Sequence, residues 1–451
     1  MNMEVLLSIA VLGLVFYGVN GSILKWIAGA CLLLIMGIDV TNTEGNLLME
    51  NGWILIVKVI IIVGSISILL MSGKMELGLI KINAEVSWCM LMVGLSSLLL
   101  VSSINWLSVY LAIELQTLSL FILVALKRDS TYSTEAGLKY FVLGAVSSGL
   151  FLFGCALLYV LVGETSIQGI NSVLCGEVGK ILITVSLLFK LSAAPFHMWA
   201  PDVYDGAPTI TTALLAIIPK IGVFSILIQI SPVTNVVLVC AVLSIIYGAL
   251  GALNQTKIKR LLAYSGIGHI GFILFGVAIG SFESIQASLI YMVVYVIMSI
   301  CGFSIVLAVA SRWSLIVEFS FLSRDNPVIA VTLALTFLSI AGIPPLLGFL
   351  SKWLVLLSGI SSGYYLICIV AVICSVVAGV YYVRVVQIIY FQTDGPGGGS
   401  ILIWHKGLNR ENRVDLIKSL LIGITFYIIL FIMVSPNFLL QITHDAIISL
   451  F

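Results

Sequence analysis

Fourteen runs of about twenty mostly apolar residues follow one another along this chain, and they restrict it to one broad class of fold. Hydrophobic residues make up 61% of its 451 residues and charged residues 9%, and the mean hydropathy is +1.21. A soluble domain needs more polar surface, whereas a helix in a bilayer satisfies its own backbone hydrogen bonds. The sequence therefore predicts an all-α polytopic membrane protein with about fourteen transmembrane helices.

The predicted helices are numbered in chain order. They occupy approximately residues 4–18, 22–38, 53–72, 86–103, 104–126, 136–162, 181–199, 209–230, 233–253, 259–280, 284–310, 328–357, 362–391 and 416–435. The first run follows Met1-Asn2-Met3-Glu4, without a basic region or a small-residue cleavage site. We therefore interpret it as a retained helix rather than a signal peptide.

Basic residues occur mainly in the connections from odd-numbered to even-numbered predicted helices. Those connections carry fourteen lysines and arginines, whereas the other connections and the tails carry only Lys180. This bias predicts that both termini lie on the outer face and that the basic loops lie in the cytoplasm or mitochondrial matrix. Two further segments are predicted to be inner-face loops, the glycine-containing stretch 393–412 and the proline-rich segment 199–208.

Proline interrupts two of the predicted helices. Pro195 lies in the seventh, and Pro344 and Pro345 lie in the twelfth. Proline removes an N–H and clashes with the preceding turn, so both helices should unwind near mid-membrane, where free backbone groups need water or a polar partner. The breaks are five helices apart, which predicts two inverted five-helix repeats, helices 4–8 and 9–13, with broken helices 7 and 12 at the transport site.

This organisation predicts four segments. They are three N-terminal transmembrane helices in 1–85, a first five-helix repeat in 86–230, a second repeat in 231–391, and an inner-face loop with the last helix in 392–451.

Four charged residues stand alone inside the apolar runs: Glu114, Lys190, Lys220 and Lys352. A charge at bilayer depth costs about 2.5 kcal/mol or more, so it is retained mainly with a partner, a water path or a function. Together the four indicate a proton or ion pathway. Lysine suits a relay because it can lose its proton on burial, whereas arginine stays charged.

Each of these residues also has a purely structural interpretation. Glu114 is either a protonated carboxyl bonded inside the bundle or a carboxylate paired with a lysine, most plausibly Lys190. Lys220 follows Pro219 at the centre of the eighth helix, too deep to snorkel easily, and is either a relay group or half of an inert pair. Lys352 lies nearer the end of its helix, where snorkelling is an alternative.

Three weaker candidates join them. Lys139, near the start of the sixth helix, would by itself be a snorkelling lysine. His269 lies at mid-depth in the tenth helix, and is either a satisfied core histidine or a titratable link between Lys220 and Lys352. His197 beside the first break is similar, with Ser192 nearby as a hydroxyl donor, and Lys58 receives no role.

The sequence contains no motif typical of cofactor or nucleic-acid binding. All eight cysteines except Cys175 lie in or at the edge of apolar runs without metal-ligand spacing, which predicts structural thiols. There is no phosphate-cradling glycine loop, dinucleotide fingerprint or haem-ligand histidine pair. No polar domain is long enough to bind nucleic acid. We expect no cofactor and no metal in this chain.

The segment 189–208, which includes Ala-Pro-Phe-His-Met-Trp-Ala-Pro-Asp-Val-Tyr, resembles the core of the antiporter-like subunits of respiratory complex I. Segments 112–116, 134–154, 255–271 and 341–352 are similar to the same family in the same order. Phrases such as Thr-Glu-Ala-Gly-Leu-Lys-Tyr are most like the subunit 2 or N-type group, in its mitochondrial versions.

The resemblance implies roles at individual positions. Glu114 and Lys190 match the ion pair of an input half-channel, Lys220 the central lysine, and Lys352 an output lysine. Lys139 also matches a family lysine, whereas His269 falls on a variable polar position. On this resemblance the long lateral helix of subunit 5 is not expected, and where subunit 4 would carry glutamate this chain has Lys352.

The resemblance implies a core membrane-arm subunit of proton-translocating NADH:ubiquinone oxidoreductase, in the mitochondrial inner membrane or alternatively a bacterial plasma membrane. FMN and iron–sulfur clusters would be carried by other subunits. The expected partners are other membrane-arm subunits, including subunits 4 and 4L, and membrane lipids. The alternatives are a subunit of a stand-alone cation/proton antiporter and a structural arm subunit with an inactive pathway.

Overall fold

The computed structural model of the chain describes residues 51–72, 84–167, 169, 176–309, 315–391 and 415–450. The first two predicted helices and the predicted loop at 393–412 lie outside the described residues. Every regular element among the described residues is a helix, as the composition predicts. In this part of the chain, nine helices are long and apolar enough to cross a membrane, and three shorter apolar helices accompany them.

The described residues up to 229 form seven helices. They are α1 (Gly52–Met71), α2 (Ala84–Ser102), α3 (Trp106–Val124), α4 (Thr131–Val162), α5 (Glu177–Lys190), α6 (Trp199–Gly206) and α7 (Thr209–Gln229).

The remaining helices complete the bundle, with a 3₁₀ turn at Ile316–Phe321 before α11. They are α8 (Thr234–Ala252), α9 (Ile258–Ile279), α10 (Phe282–Val309), α11 (Leu322–Asp325), α12 (Pro327–Ala341), α13 (Leu347–Ser361), α14 (Tyr365–Phe391), α15 (Leu416–Val434) and α16 (Asn437–Ile448).

The two breaks predicted from proline are present. Within the seventh predicted helix, α5 ends at Lys190 and the next helix, α6, begins only at Trp199, while the twelfth is divided into α12 and α13. The first half-helix of each pair ends at a left-handed residue, Ser192 with φ 59° and Gly342 with φ 84°. The following amides, of Ala193 and Ile343, donate to carbonyls five residues earlier at 3.0 and 3.2 Å. This arrangement satisfies carbonyls that a broken helix would otherwise leave free.

The segment 199–208 was expected to be a loop and instead contains α6. Pro201 is the third residue of that helix, where a backbone N–H would have no helical partner. Asp202 places a negative charge in the first turn, where the helix dipole favours it. Pro208 lies just before α7, so the prolines mark helix starts rather than a continuous loop.

The most buried helices lie in the centre of the bundle. The membrane-length window of α7 is fully buried, and those of α9 and α10 are 78% and 67% buried. The windows of α4, α14 and α15 are at most 28% buried and present apolar side chains outward. Lys220 therefore lies on the helix that is most enclosed by protein.

The fifth and sixth predicted helices share a backbone feature with the tenth and eleventh. Asn105, before α3, forms an isolated bridge with Ser166, which follows α4. Lys257, before α9, forms the same kind of bridge with Leu315, which follows α10. In each case a broken helix comes next in the chain. The same succession of elements thus occurs twice, five predicted helices apart.

The chain also contains a helix that the apolar runs did not indicate. After α15, the short α16 returns across the ends of α1 and α10, where the Ser449 hydroxyl accepts a hydrogen bond from the Trp53 amide at 2.8 Å. Gln286 donates from its side chain to the Leu440 carbonyl at 3.1 Å. With twelve residues, α16 is too short to give a membrane-span signal.

Candidate functional site

Lys220 is buried in the centre of the bundle with uncharged partners. Lys220 directly follows Pro219, and this proline removes a backbone hydrogen bond from the middle of α7. Lys220 is 2% exposed, and its Nζ donates to the Tyr295 hydroxyl at 3.2 Å. That hydroxyl donates to the Ala216 carbonyl at 3.3 Å. The ammonium also lies 5.9 Å from the ring of Tyr204. Within the described residues, a hydroxyl and aromatic faces thus surround this charge.

His269 interacts with two of the lysines. Its ring is buried on α9, and Nδ1 is 2.8 Å from the Tyr291 hydroxyl. The histidine interacts electrostatically with both Lys220 and Lys352. Its ring also packs at 5.7 Å from that of Tyr295. The structure therefore brings together His269 and the two lysines that the sequence proposed it to link.

Lys352 binds the end of the broken helix before it. It is buried on α13, and its Nζ donates to the carbonyl of Ala341, the last residue of α12, at 2.7 Å. The last carbonyls of a helix lack helical donors and carry a negative partial charge, so they suit an ammonium group. The break thus supplies Lys352 with a local partner, and the side chain does not snorkel.

Lys190 and Glu114 lie in the first half of the chain without a direct hydrogen bond to each other. Lys190 is the last residue of α5, and its buried Nζ has no hydrogen-bond partner in the described part of the chain. Glu114 Oε1 on α3 is likewise buried and unpartnered, while Oε2 is 3.4 Å from the Thr117 hydroxyl. The two groups interact electrostatically. An opposite charge therefore acts on Lys190 without a contact that fixes its position.

Aromatic residues fill the space between this pair and Lys220. Trp199 packs on Phe189 and Tyr140, with ring centroids 6.0 and 5.3 Å apart. Its indole N–H donates to the Phe189 carbonyl near the end of α5. The ring of Tyr204 on α6 lies 5.9 Å from Lys220 Nζ, and its buried hydroxyl has no hydrogen-bond partner among the described residues. Aromatic side chains on α6 therefore lie close to both α5 and Lys220.

Lys139 lies apart from the buried lysines, in an ion-pair cluster at one end of the bundle. Its ammonium is 2.7 Å from Glu135 and 2.9 Å from Asp202, and 41% of its side chain is exposed. Arg260 donates to Asp202 at 2.9 Å and approaches Asp205 at 3.3 Å without hydrogen-bond geometry at Nε. These pairs hold α6 against the starts of α4 and α9.

The other candidates have more local surroundings. His197 is half-buried beside the first break, with its ring 5.4 Å from that of Tyr247. Ser192 is buried, and its hydroxyl donates to the Leu191 carbonyl at 2.5 Å. Lys58 on α1, which received no role from the sequence, is 2% exposed.

Sequence reasoning missed the tyrosines that contact the charged residues. The chain contains 16 tyrosines, so tyrosine alone is a weak signal. A stronger signal was available, because Tyr291 and Tyr295 are four residues apart and must lie on one face of a helix. The buried groups that meet here are lysine, histidine, tyrosine and glutamate, all of which exchange protons. In the described part of the chain, no group of three histidine, cysteine or acidic residues could hold a metal ion.

Comparison with known families places this arrangement in a wider group. Residues 103–378, more than half of the chain, match the family model described as NADH:quinone oxidoreductase/Mrp antiporter, transmembrane. The NADH-ubiquinone oxidoreductase chain 2 of Metridium senile is 64% identical over 374 residues, which is 80% of this chain and 96% of that protein. Subunit N of the NADH-quinone oxidoreductase of Rhodospirillum rubrum is 35% identical over 376 residues, covering 77% and 75%.

Solved structures share the fold at lower identity. A chain of respiratory complex I from Thermus thermophilus with bound aureothin superimposes with a TM-score of 0.82 at 24% identity, covering 97% of this chain and 98% of that one. A chain of the Mrp complex from Dietzia sp. DQ12-45-1b has a TM-score of 0.85 at 17% identity, covering 99% and 97%. These similarities extend across nearly the whole chain.

Proposed function

This chain belongs to the antiporter-like subunit 2/N family of respiratory complex I, and we propose that it carries protons across the membrane through a buried relay of lysine, histidine and glutamate. It is a multi-pass membrane subunit of an oxidoreductase complex, and the family membership that its motifs implied is confirmed. Electron transfer from NADH to ubiquinone elsewhere in the complex would drive the transport. FMN and iron–sulfur clusters would lie in other subunits.

One observation carries the proposal. Lys220 is 2% exposed and Lys352 is 8% exposed, and their partners are a hydroxyl and a carbonyl. An inert buried ammonium is usually compensated by a carboxylate, since an uncompensated charge costs several kcal/mol. Uncharged partners instead leave each lysine able to exist with or without its proton. With His269 between them, the two lysines form a sequence of proton-exchanging groups.

The Glu114–Lys190 pair would act as a switch at the opposite end of the relay from Lys352. An opposite charge favours the ammonium form of Lys190, and its withdrawal favours release of the proton. The two groups interact without a direct hydrogen bond, so a small movement of α3 or α5 changes their separation. Conformational and electrostatic changes during turnover would therefore load and unload Lys190.

The repeated succession of elements supports corresponding roles in 86–230 and 231–391. Glu114 lies on the helix two before the first broken helix, and His269 occupies the corresponding helix of the second unit. Lys190 and Lys352 both belong to the broken helices. A titratable partner and a lysine would thus recur in both units, with Lys220 between them. Lys139, outside this line, would assist through the ion-pair cluster, and His197 would contribute at the first break.

The setting follows from the family and from the charge pattern. We place the protein in the mitochondrial inner membrane, with both termini on the intermembrane-space face. Its partners would be other membrane-arm subunits, including the antiporter-like subunit 4 and the small subunit 4L, together with lipids that contact the apolar outer helices. The similarity to a chain of the Mrp complex favours, as a second candidate, a subunit of a stand-alone cation/proton antiporter. Co-purification with flavin- and cluster-bearing subunits would distinguish complex I from that candidate.

Replacement of Lys220 tests the relay against an inactive, purely structural pathway. In assembled complex reconstituted into vesicles, we expect Lys220→Ala to reduce NADH-driven proton translocation by about 100-fold, the low end of what a positioned proton-transfer group contributes. Lys418→Ala is the control, because Lys418 lies on the outer helix α15, where its ammonium is 3.7 Å from Asp415. Normal assembly with unchanged proton translocation in Lys220→Ala would exclude the relay.

A further inference from the structure

Two tyrosines on α10 contact two different members of the relay. Tyr295 accepts a hydrogen bond from Lys220 at 3.2 Å, and Tyr291 lies 2.8 Å from His269 Nδ1. They are four residues apart, so one face of a single buried helix presents both hydroxyls. Tyr291 is 0% and Tyr295 is 6% exposed. A buried hydroxyl is costly without a hydrogen bond, and these two bind groups that change protonation.

We propose that Tyr295 and Tyr291 are further positioning residues of the transport reaction, whose hydroxyls bind Lys220 and His269 in both protonation states of each group. The inference rests on the proposed proton relay and adds residues that neither the apolar pattern nor the isolated charges indicated. A carboxylate could not do the same, because it accepts hydrogen bonds only and would hold Lys220 as an ammonium. A hydroxyl donates one hydrogen bond and accepts two.

The bond pattern at Tyr295 shows how this would operate. With Lys220 as an ammonium, the Tyr295 oxygen accepts from Nζ while its proton is donated to the Ala216 carbonyl. When the ammonium loses a proton, its nitrogen gains a lone pair, and the hydroxyl turns to donate to it. The imidazole of His269 takes up the proton that Lys220 loses. Tyr295 remains neutral throughout and loses no proton.

Tyr291 would do the same for His269. A neutral imidazole has one N–H and one bare nitrogen, whereas the protonated ring has an N–H at both positions. The Tyr291 hydroxyl can donate to a bare Nδ1 and accept from a protonated one. The ring therefore keeps a hydrogen-bond partner as it gains and loses a proton. It also keeps its orientation toward Lys220 and Lys352.

Gly266 leaves the space in which Lys220 and Tyr295 meet. A methyl group on Gly266 would lie 3.2 Å from the Tyr295 hydroxyl and 3.3 Å from Lys220 Nζ, tighter than ordinary contact with either atom. A methyl group on Gly268 of the same helix would meet its nearest neighbour, the Gly248 Cα, at an ordinary 3.8 Å. These two glycines provide a matched pair that perturbs the hydrogen bond without removing the hydroxyl.

The test measures NADH-driven proton translocation and the solvent deuterium isotope effect on NADH oxidation in the reconstituted complex. We expect Tyr295→Phe and Tyr291→Phe each to slow translocation by about tenfold, the factor corresponding to one lost hydrogen bond to a charged group. The isotope effect should rise, because slow proton transfer then limits turnover. Gly266→Ala should act in the same direction. Tyr427→Phe, on the exposed face of α15, and Gly268→Ala should match the unmodified protein.

The outcomes separate this inference from the proposed function. If Lys220→Ala abolishes translocation while Tyr295→Phe and Gly266→Ala leave it unchanged, the relay stands and the role of the tyrosines is refuted. If both tyrosine variants are slow with an unaltered isotope effect, the tyrosines are only structural, and the inference fails. If Lys220→Ala itself translocates protons normally, the proposed function fails first.

Discussion

Each of the three buried lysines of the relay lies against a glycine. A methyl group would lie 3.8 Å from Lys190 Nζ if added at Gly144, and 3.1 Å from Lys352 Nζ if added at Gly342. Gly266 stands in the same relation to Lys220. The absent side chains leave the ammonium groups room to change partners. Small residues at these positions are therefore part of the site, although they carry no chemistry themselves.

Gly342 allows the need for free space beside Lys352 to be tested against a matched control. Gly342 and Gly363 have left-handed φ angles of 84° and 83°, so alanine at either position should cost about 1–2 kcal/mol in backbone strain. Only Gly342 faces a lysine; a methyl group on Gly363 would have no heavy atom within 4 Å among its neighbours. We expect both variants to lower the melting temperature of the complex similarly, while Gly342→Ala alone reduces proton translocation. Equal translocation in the two would show that Lys352 needs no free space there.

Isolated charges were the part of the site that the sequence could predict. Glu114, Lys190, Lys220 and Lys352 stand out because the surrounding runs contain no other charge. The tyrosines could not be found in that way, since their importance depends on which neighbouring helix their hydroxyls reach. Tertiary packing decides that, and no local pattern of apolar residues encodes it.

The short helix α6 depends on contacts with other elements. It has eight residues, and helices this short are marginal without tertiary contacts. Trp199 and Tyr204 are buried against the bundle. Asp202 pairs with Lys139 on α4 and Arg260 on α9, and Asp205 pairs with Lys257, just before α9. Because Tyr204 lies next to Lys220, the ion pairs at the end of the bundle help to fix the surroundings of the central lysine.

Asp202→Asn should loosen α6. The change removes the charge that holds Lys139 and Arg260, and exposed pairs of this kind contribute about 0.2–1 kcal/mol. We expect amide hydrogen exchange in 199–206 to accelerate about threefold, as a loss of about 0.6 kcal/mol implies. The control is Glu135→Gln, which removes one partner of Lys139 and leaves Arg260 paired. High salt should bring the unmodified protein toward the variant, and salt-independent exchange would contradict an electrostatic role.

The helices themselves were predictable to different degrees. Apolar runs locate the long helices, and Pro195 and Pro344 locate both breaks, because proline acts locally on the backbone. The same residue type misled at 199–208, since Pro201 is compatible with the first turn of a helix. No membrane-length apolar run indicated α16, because this short helix lies across the ends of the bundle.

Across the whole molecule, the proposed groups extend from α3 and α5, through α7 and α9, to α13. They come from both 86–230 and 231–391. The central helices α7, α9 and α10, which are mostly buried, connect the two parts. Tyr204 lies beside Lys220 in the first part, and His269 interacts with Lys220 and Lys352 in the second. A single pathway of this kind has steps in series, so a block at either end should stop transport through the entire chain.

Combining variants at the two ends tests that arrangement. We expect Lys190→Ala and Lys352→Ala each to abolish most NADH-driven proton translocation, and the double variant to be no slower than the slower single variant. Residues that act as one unit are non-additive in this way, whereas independent sites more than about 10 Å apart contribute additively to the free energy. Lys418→Ala combined with Lys190→Ala provides the comparison for an unrelated lysine. Single variants that each keep a large share of the translocation, with the remainder lost only in the double variant, would indicate two separate pathways, one in each half, because fluxes through parallel pathways add.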